Sequence, residues 1–256
     1  LVVAVSQDVQ IVIPCFNEEH RLDEAAFAPL FDSPDVALLF VDDGSTDGTS
    51  RVVEKMLAEP NRPAALYRLG RNSGKAEAVR AGLLEGLERG FRYVGYADAD
   101  MSTPAGEIVR LVRLVKDEDL KLAMGARVLM MGTRIDRRTA RHFAGRVFAT
   151  VASLGLGVPV YDTQCGAKVI ASCPALREAL ADPFGNRWAF DVELIGRLLY
   201  PEDPAIEPIA PSEIKELPLE TWEDVAGSKL KPDAMVVAGL ELLRVAWEVR
   251  RRKRGR

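Results

Sequence analysis

Residues 91–117 read "FRYVGYADADMSTPAGEIVRLVRLVKD". The apolar run at the start predicts a buried strand, and "TPAGEIVRLVRLVKD" predicts a helix with Pro104 in its first turn. Between the two stand Asp98 and Asp100, separated by a single alanine, Ala99. Two carboxylates this close repel one another and lose solvation, so something positive must offset them if they serve more than a turn.

Working outward, the same strand–turn–helix pattern fills the first half. "VQIVIP" (9–14), "VALLFVDDG" (36–44) and "AALYRLG" (64–70) predict strands; "RLDEAAFAPLF", "STDGTSRVVEKMLAE" and "GKAEAVRAGLLEGLERG" predict helices. The last has apolar residues at Ala76, Val79, Leu83, Leu84 and Leu87, which is helical spacing. Strand–helix alternation implies an α/β fold: a mostly parallel central sheet with helices on both faces. The second half is less regular. "KLAMGAR" predicts a strand, 137–154 a helix basic on one side, "DTQCGAKVI" (162–170) a turn and strand, and "WAFDVELIGRLLY" (188–200) a helix. "IKELPLETW" predicts an edge strand, because Pro218 cannot donate to a ladder. A final helix runs from 232.

Composition narrows the class. With 48% hydrophobic and 28% charged residues, disorder and collagen-like structure are excluded. A net charge of −4 makes nucleic acid a poor partner. The basic residues are clustered, however: Arg134, Arg137, Arg138, Arg141 and Arg146 in one stretch, and "RRRKRGR" from Arg250. Two such patches suit a phosphate or an anionic membrane surface. Three cysteines without a CxxC argue against a disulfide framework or structural zinc and for a reducing compartment. No signal peptide and no spanning helix is expected.

In open α/β sheets, ligands bind at the carboxyl ends of the strands. Three such ends carry polar clusters: "PCFNEE", "VDDGSTD" and "ADAD". If those strands are neighbours, Glu18, Asp42, Asp43, Asp98 and Asp100 share one crevice. An Asp-x-Asp pair suits a hard divalent cation, Mg²⁺ or Mn²⁺, shared with substrate phosphates. On the motif alone, a strand end that caps the next helix explains it equally well. The first strand is followed by no GxGxxG, and GxxxxGK[ST] is missing throughout, so a dinucleotide fingerprint and a P-loop are both excluded.

"IVIPCFNEE", "VDDGSTDGT", "RNSGKAEAVRAG" and "DAD", in this order and spacing, resemble the inverting family-2 glycosyltransferases of the GT-A fold. "GAR", "DTQCGAKV", "RWAFDVEL", "IKELPLETW" and "GSKL" are similar to the dolichyl-phosphate β-glucosyltransferase branch and its prokaryotic relatives. The resemblance implies one GT-A domain over 1–230, with a nucleotide-binding half (1–120) and an acceptor half (121–230). Residues 231–256 follow as a helix and basic tail. It implies metal-dependent, inverting transfer of a hexose, glucose from UDP-glucose, onto a polyprenyl phosphate at the cytosolic face of a membrane. GDP-mannose as donor or a saccharide as acceptor are the alternatives within the class. Outside it stand a nucleotide-sugar-binding protein without turnover and a nucleotidyltransferase. The intact aspartates argue against the former. The latter needs a Gly-rich, Arg/Lys-bearing loop where "PCFNEE" stands. The eukaryotic members carry an N-terminal membrane anchor; none is expected in this sequence, so attachment falls to the basic segments.

The resemblance also distributes roles. Pro14, Phe16 and Glu18 line the nucleoside pocket, and Asp42 and Asp43 bind base and ribose. Lys75, at a helix start, faces an anion or a pocket carboxylate. Asp98 and Ala99 contact the ribose side, and Asp98 and Asp100 hold the metal. Asp162 occupies the position closest to a catalytic base, or orients the sugar or acceptor. Trp188 and Asp191, with Glu193, serve the sugar; only one of the two acids is expected to point inward, because positions two apart do not share a helix face. Arg127, Arg134, Arg138, Arg141 and Lys168 are the acceptor-phosphate cations, each with a solvated helix face as its plain alternative.

Overall fold

The computed structural model describes residues 7–136, 139–186, 188–223 and 232–254. Its frame is one seven-stranded sheet. The strands β1 (Val9–Cys15), β2 (Val36–Asp42), β3 (Ala64–Arg68) and β4 (Tyr93–Ala97) are followed in the chain by β5 (Leu122–Ala126), the short β6 (Arg134–Asp136), β7 (Ala167–Ala171), β8 (Ile214–Pro218) and β9 (Thr221–Glu223). The sheet order is β3-β2-β1-β4-β7-β5-β8, and β6 and β9 pair separately in a small parallel sheet.

The helices are α1 (Glu24–Phe31), α2 (Thr49–Leu57), α3 (Lys75–Glu88), α4 (Ala105–Asp117), α5 (Thr139–Leu156), α6 (Pro174–Ala179), α7 (Phe190–Leu199) and α8 (Pro232–Arg254). Successive strand residues feed opposite faces. Ile11, Ile13, Leu38 and Phe40 pack with Phe27 and Leu30 of α1 and Ile108 and Leu111 of α4. Val12, Leu39 and Val41 pack with Val79 and Leu83 of α3 and, further along, residues of α6, α7 and α8. Burial on both faces is why these strands read as unbroken apolar runs.

Three features depart from the sequence expectation. β7 runs antiparallel to both of its neighbours, so the parallel sheet carries one reversed strand at its heart. "IKELPLETW" is divided: Ile214–Pro218 closes the main sheet at its edge, as Pro218 requires, and Thr221–Glu223 leaves to pair with β6. Helix α6 forms where the sequence pattern predicts no element. Among the described residues no helix is long and apolar enough to cross a membrane.

Register positions the site. Cys15 lies opposite Asp42, and Val12 lies opposite Tyr96, so β1, β2 and β4 end on the same side. β7 begins where β4 ends, with Ala97 opposite Ala167. The Asp98 N–H donates to the Gly166 carbonyl (3.0 Å), which extends the ladder into the acidic turn.

Candidate functional site

The crevice is walled by the ends of β2, β1 and β4, the start of β7, the end of β5, and the first turns of α3 and α7. On the β2 side both aspartates are buried and engaged. Asp42 accepts the Ser45 N–H (2.9 Å) through Oδ1 and the Ser50 hydroxyl through Oδ2. Asp43 accepts the Ser73 and Gly74 amides, each at 2.7 Å, one on each oxygen. It thereby holds the loop that opens α3, and a ligand would meet its remaining lone pairs. Pro14, near the end of β1, and Phe16 and Glu18, just beyond it, are half-buried, and Glu18 pairs with Arg21. Asp47 accepts the Thr49 amide (2.9 Å) and the Glu19 amide (3.2 Å). Burial opposes its charge, but those hydrogen bonds hold its carboxyl below the usual range.

At the end of β4 the chain turns sharply. The Met101 N–H donates to the Asp98 carbonyl (3.1 Å), and Met101 adopts φ +48°, the left-handed region that a bulky residue rarely occupies. Such backbone strain clusters at binding sites. Asp98 Oδ1 is buried and receives no well-formed hydrogen bond from a described group; its ionic partner is the Lys75 ammonium, 2.5 Å away. Partial burial works against the Lys75 charge, but Asp98, Asp191 and Asp100 outweigh it and hold the ammonium above the ordinary lysine range. Asp100 Oδ1 accepts the Ser102 amide (3.1 Å). Ala99 between them is buried. Gly166 lies directly against Asp98: a Cβ there would sit 2.1 Å from Asp98 Oδ2.

Two hard carboxylates one residue apart suit Mg²⁺ or Mn²⁺, and the single Lys75 ammonium offsets only part of their charge. Among the described residues no three His, Cys, Asp or Glu side chains converge as a metal cage. The pair fits a cation that completes its shell with ligand phosphates, and does not fit one held by protein alone.

The β5–β7 side is built from ion pairs. Asp162 is buried, and Arg127 grips it twice, Nε to Oδ2 at 2.6 Å and Nη2 to Oδ1 at 2.8 Å; the Arg127 backbone N–H adds a third bond at 3.1 Å. Burial works against the guanidinium, but Asp162 outweighs it and raises its pKa. The turn that presents Asp162 hangs on Glu216, whose carboxylate accepts the Tyr161 amide (2.8 Å) and the Asp162 amide (2.7 Å). Neither the Arg127–Asp162 pair nor Glu216 was apparent from sequence. A lone Glu beside Pro218 gives no sign of reaching another strand's turn.

Lys168 requires a correction. It was expected to face an acceptor phosphate, yet its side chain is 0% exposed. Its ammonium is spent on the Asp191 carboxylate (2.6 Å) and the Cys165 carbonyl (2.7 Å). Asp191 also accepts the Tyr96 hydroxyl, and burial with that carboxylate pushes the phenol well above its usual pKa. Asp191 therefore braces α7 against β4 and β7. Asp191 and Glu193 leave α7 on different faces, as their spacing requires, but neither face is wet. All ten residues of α7 are buried, so the helix has no solvent face. Glu193 turns to Arg197 (2.6 Å) and to the Asn186 amide (2.6 Å).

Trp188 is partly exposed, and its backbone N–H donates to Glu241 of α8 (2.8 Å). Arg134 is exposed in β6. Arg138 lies outside the described residues, as does the "GSKL" motif, and of Arg141 only the helical backbone is described. Arg146, from the same basic stretch, is structural: it stacks on the Tyr161 ring at 3.8 Å and donates to the Tyr161 carbonyl (3.2 Å).

The sequence pattern of glycosyl transferase family 2 matches residues 10–168, from β1 through the start of β7. The chain belongs to that family. It is a glycosyltransferase. The matched span takes in all three carboxylate-bearing strand ends, the Lys75 helix start and the Asp162 turn. Mouse dolichyl-phosphate beta-glucosyltransferase is 32% identical over 247 residues, which is 89% of this chain and 71% of that protein. The human enzyme of the same name is 30% identical over 254 residues, again 89% and 71%. Polyprenol monophosphomannose synthase of Mycolicibacterium smegmatis is 32% identical over 162 residues, 63% of this chain and 60% of that one. Among solved structures, glucosyl-3-phosphoglycerate synthase from Mycobacterium tuberculosis, in complex with Mn²⁺, UDP and glucosyl-3-phosphoglycerate, superimposes with a TM-score of 0.67. It covers 95% of this chain and 80% of its own, at 18% identity, a likeness of fold. The family-2 glycosyltransferases thus share with this chain the GT-A architecture expected from the sequence: a mostly parallel sheet with helices on both faces and a C-terminal helix.

Proposed function

We propose that this glycosyltransferase moves a hexose, glucose from UDP-glucose, onto a polyprenyl phosphate with inversion at the anomeric carbon. The observation that carries the reading is a juxtaposition: the Asp98–Asp100 turn and the Arg127–Asp162 pair stand on either side of the same end of β7, its start. Similarity to dolichyl-phosphate beta-glucosyltransferases over 89% of the chain supports the lipid phosphate and glucose. We assign 1–120 to donor binding and 121–230 to acceptor binding.

Asp98 and Asp100 are the residues that would hold Mg²⁺ or Mn²⁺, and such an ion, when bound, offsets the charge growing on the leaving nucleoside diphosphate. Pro14, Phe16, Glu18, Asp42 and Asp43 line the nucleoside side. Lys75 neutralises Asp98 and steadies it. An acceptor phosphate oxygen attacks the anomeric carbon from the face opposite the diphosphate; the new C–O bond forms as the bond to the diphosphate breaks. A phosphate monoester, with a second pKa of about 6, is largely ionised near neutrality and needs little help from a base. Asp162 accordingly serves to aim Arg127: a carboxylate gripped bidentately by a guanidinium is a weak base and a firm strut. Among the described side chains, Arg127 and Arg134 are the candidate phosphate cations that remain once Lys168 is removed from that set.

We place the protein at the cytosolic face of a membrane, held by its basic segments. In α8, Leu242, Val245 and Val249 are buried, while Leu243 and Trp247 are exposed. Arg251 stacks on Trp247 at 5.6 Å, and Arg252 pairs with Glu202 at 3.0 Å, so part of the tail is held by the protein itself.

The test incubates the full chain with Mg²⁺ or Mn²⁺, UDP-glucose or GDP-mannose, and a short prenyl phosphate. Lipid-dependent UDP release is the expected result. Release that ignores the lipid sinks the acceptor, and turnover with GDP-mannose alone sinks the glucose donor. The mycobacterial mannose synthase relative makes that second arm the one to run beside the first.

A further inference from the structure

Between β5 and β6 the chain crosses "RVLMMGT", residues 127–133. The Thr133 N–H donates to the Met130 carbonyl (3.2 Å), and Gly132 sits at φ +91°. That closes a turn of type II character, with Met131 at its first central position and Gly132 where a positive φ is required. The Thr133 hydroxyl ties the base, accepting the Met130 N–H (3.2 Å) and lying 2.8 Å from the Met130 carbonyl. The turn is therefore held by backbone, one glycine and one hydroxyl. Its shape makes no demand on the side chains at the apex.

Turn apices normally carry Gly, Asn, Asp, Pro or Ser. This one carries Leu129, Met130 and Met131, with relative exposures of 62%, 50% and 102%. Three consecutive large apolar side chains in water weaken solubility and contribute nothing to the core, so they call for a partner. The roots of the loop are cationic: Arg127, fixed by Asp162, on one side and exposed Arg134 on the other. An apolar tip with arginines at its base matches a bilayer boundary, where acyl chains take the tip and headgroup phosphates take the cations.

We propose that residues 129–131 insert into the anionic lipid surface that carries the acceptor, so that the Arg127–Asp162 pair lies at the headgroup plane. This rests on the polyprenyl-phosphate reading above and adds to it how the enzyme meets a substrate whose phosphate never leaves the membrane surface.

The test compares the full chain with Leu129→Asp/Met131→Asp; neither residue is among the proposed catalytic groups. Cosedimentation uses phosphatidylglycerol–phosphatidylcholine vesicles at low salt and at about 0.5 M salt, where surface charge is screened. The variant is expected to lose vesicle partitioning about tenfold, with the loss persisting in high salt because the tip contributes apolar burial. Its turnover of a short, water-soluble prenyl phosphate without vesicles stays unchanged, while turnover of a long-chain acceptor in vesicles falls with binding. Unchanged partitioning of the variant overturns the proposal. So does a wild-type chain that ignores vesicles altogether, which would assign the tip to a protein partner. Intact vesicle binding with lost turnover of the long-chain acceptor in detergent also overturns it, and assigns the tip to the prenyl chain. If the wild type turns over no prenyl phosphate in any format, the acceptor reading falls. The partitioning of wild type against variant still decides the tip.

Discussion

The two sides of the crevice hold their buried acids by opposite means. On the β1–β2 side, Asp42 and Asp43 are satisfied by backbone amides and a serine hydroxyl, neutral donors that leave the negative charge in place. On the β5–β7 side every buried acid has its own cation: Asp162 has Arg127, Asp191 has Lys168 and Glu193 has Arg197. The first arrangement builds a field that wants a cation; the second cancels its field and builds rigidity. The Asp98–Asp100 turn stands on the border, with one lysine set against two carboxylates. A donor that arrives as a metal–diphosphate complex suits the first side, and an acceptor that needs aim suits the second.

The largest effect should come from the border. Asp100→Asn removes one carboxylate from the pair and is expected to lower kcat at least about a hundredfold, the usual cost of losing charge stabilisation at a leaving group. Nucleoside diphosphate release measures it, and an unchanged rate would break the comparison at its centre. Next comes the paired side. Lys168→Met strands the buried Asp191 carboxylate and should cost about 3–5 kcal/mol in a denaturant titration. The double variant Lys168→Met/Asp191→Leu should recover most of that, since a matched apolar pair carries no unpaired charge; no recovery would mean that the lysine acts alone.

Gly166→Ala probes the seam. The new methyl must displace the Asp98 carboxylate that lies 2.1 Å from its position. Donor KM should rise about tenfold while stability moves by about 1 kcal/mol or less, because a side-chain end can shift where backbone cannot.

The smallest effect is spectroscopic. Burial raises both Cys15 and Cys165, but Glu18 and Asp42 push Cys15 further up, whereas Arg127 and Lys168 pull Cys165 back, to about 11. Thiolate forms only above the pKa, so Cys165 should ionise at a lower pH than Cys15 as alkali is added. Thiolate absorbance in single-cysteine variants would show it, and Arg127→Met should narrow the gap. Coincident titrations would mean that the two sides do not differ in potential as their partners imply.

How much of this was legible follows from where each determinant lies. β1, β2 and β4 could be read because unbroken apolar runs between turn residues leave few alternatives; that they are neighbours was a condition of the reading, which the sheet order meets. The reversal of β7 was hidden, because strand direction is set by partners about seventy residues away in sequence, as Tyr96 opposite Lys168 illustrates. Three-residue strands such as β6 and β9 carry too little pattern to register. Lys168 was misread because a lysine after a polar turn looks like a solvent-facing cation. The usable signal was its setting, "AKVIA", where apolar neighbours on both sides mark a charge that must be buried and paired. The burial of Glu193 was hidden because helical periodicity assumes a wet face, and α7 has none.

The reversed strand also dictates a timetable. β3, β2, β1 and β4 can be assembled from consecutive strand–helix units as the chain is made, but the open flank of β4 is closed only by Ala167–Ala171. Until that segment leaves the ribosome, the strand that ends in the Asp98 turn is an uncovered edge, with unpaired amides and carbonyls along its length. The nascent protein must bring that edge past some seventy further residues before the sheet can be sealed, and pairing over such separations is slow. The proposed donor site and vulnerability to premature association during synthesis therefore converge on the same five-residue strand.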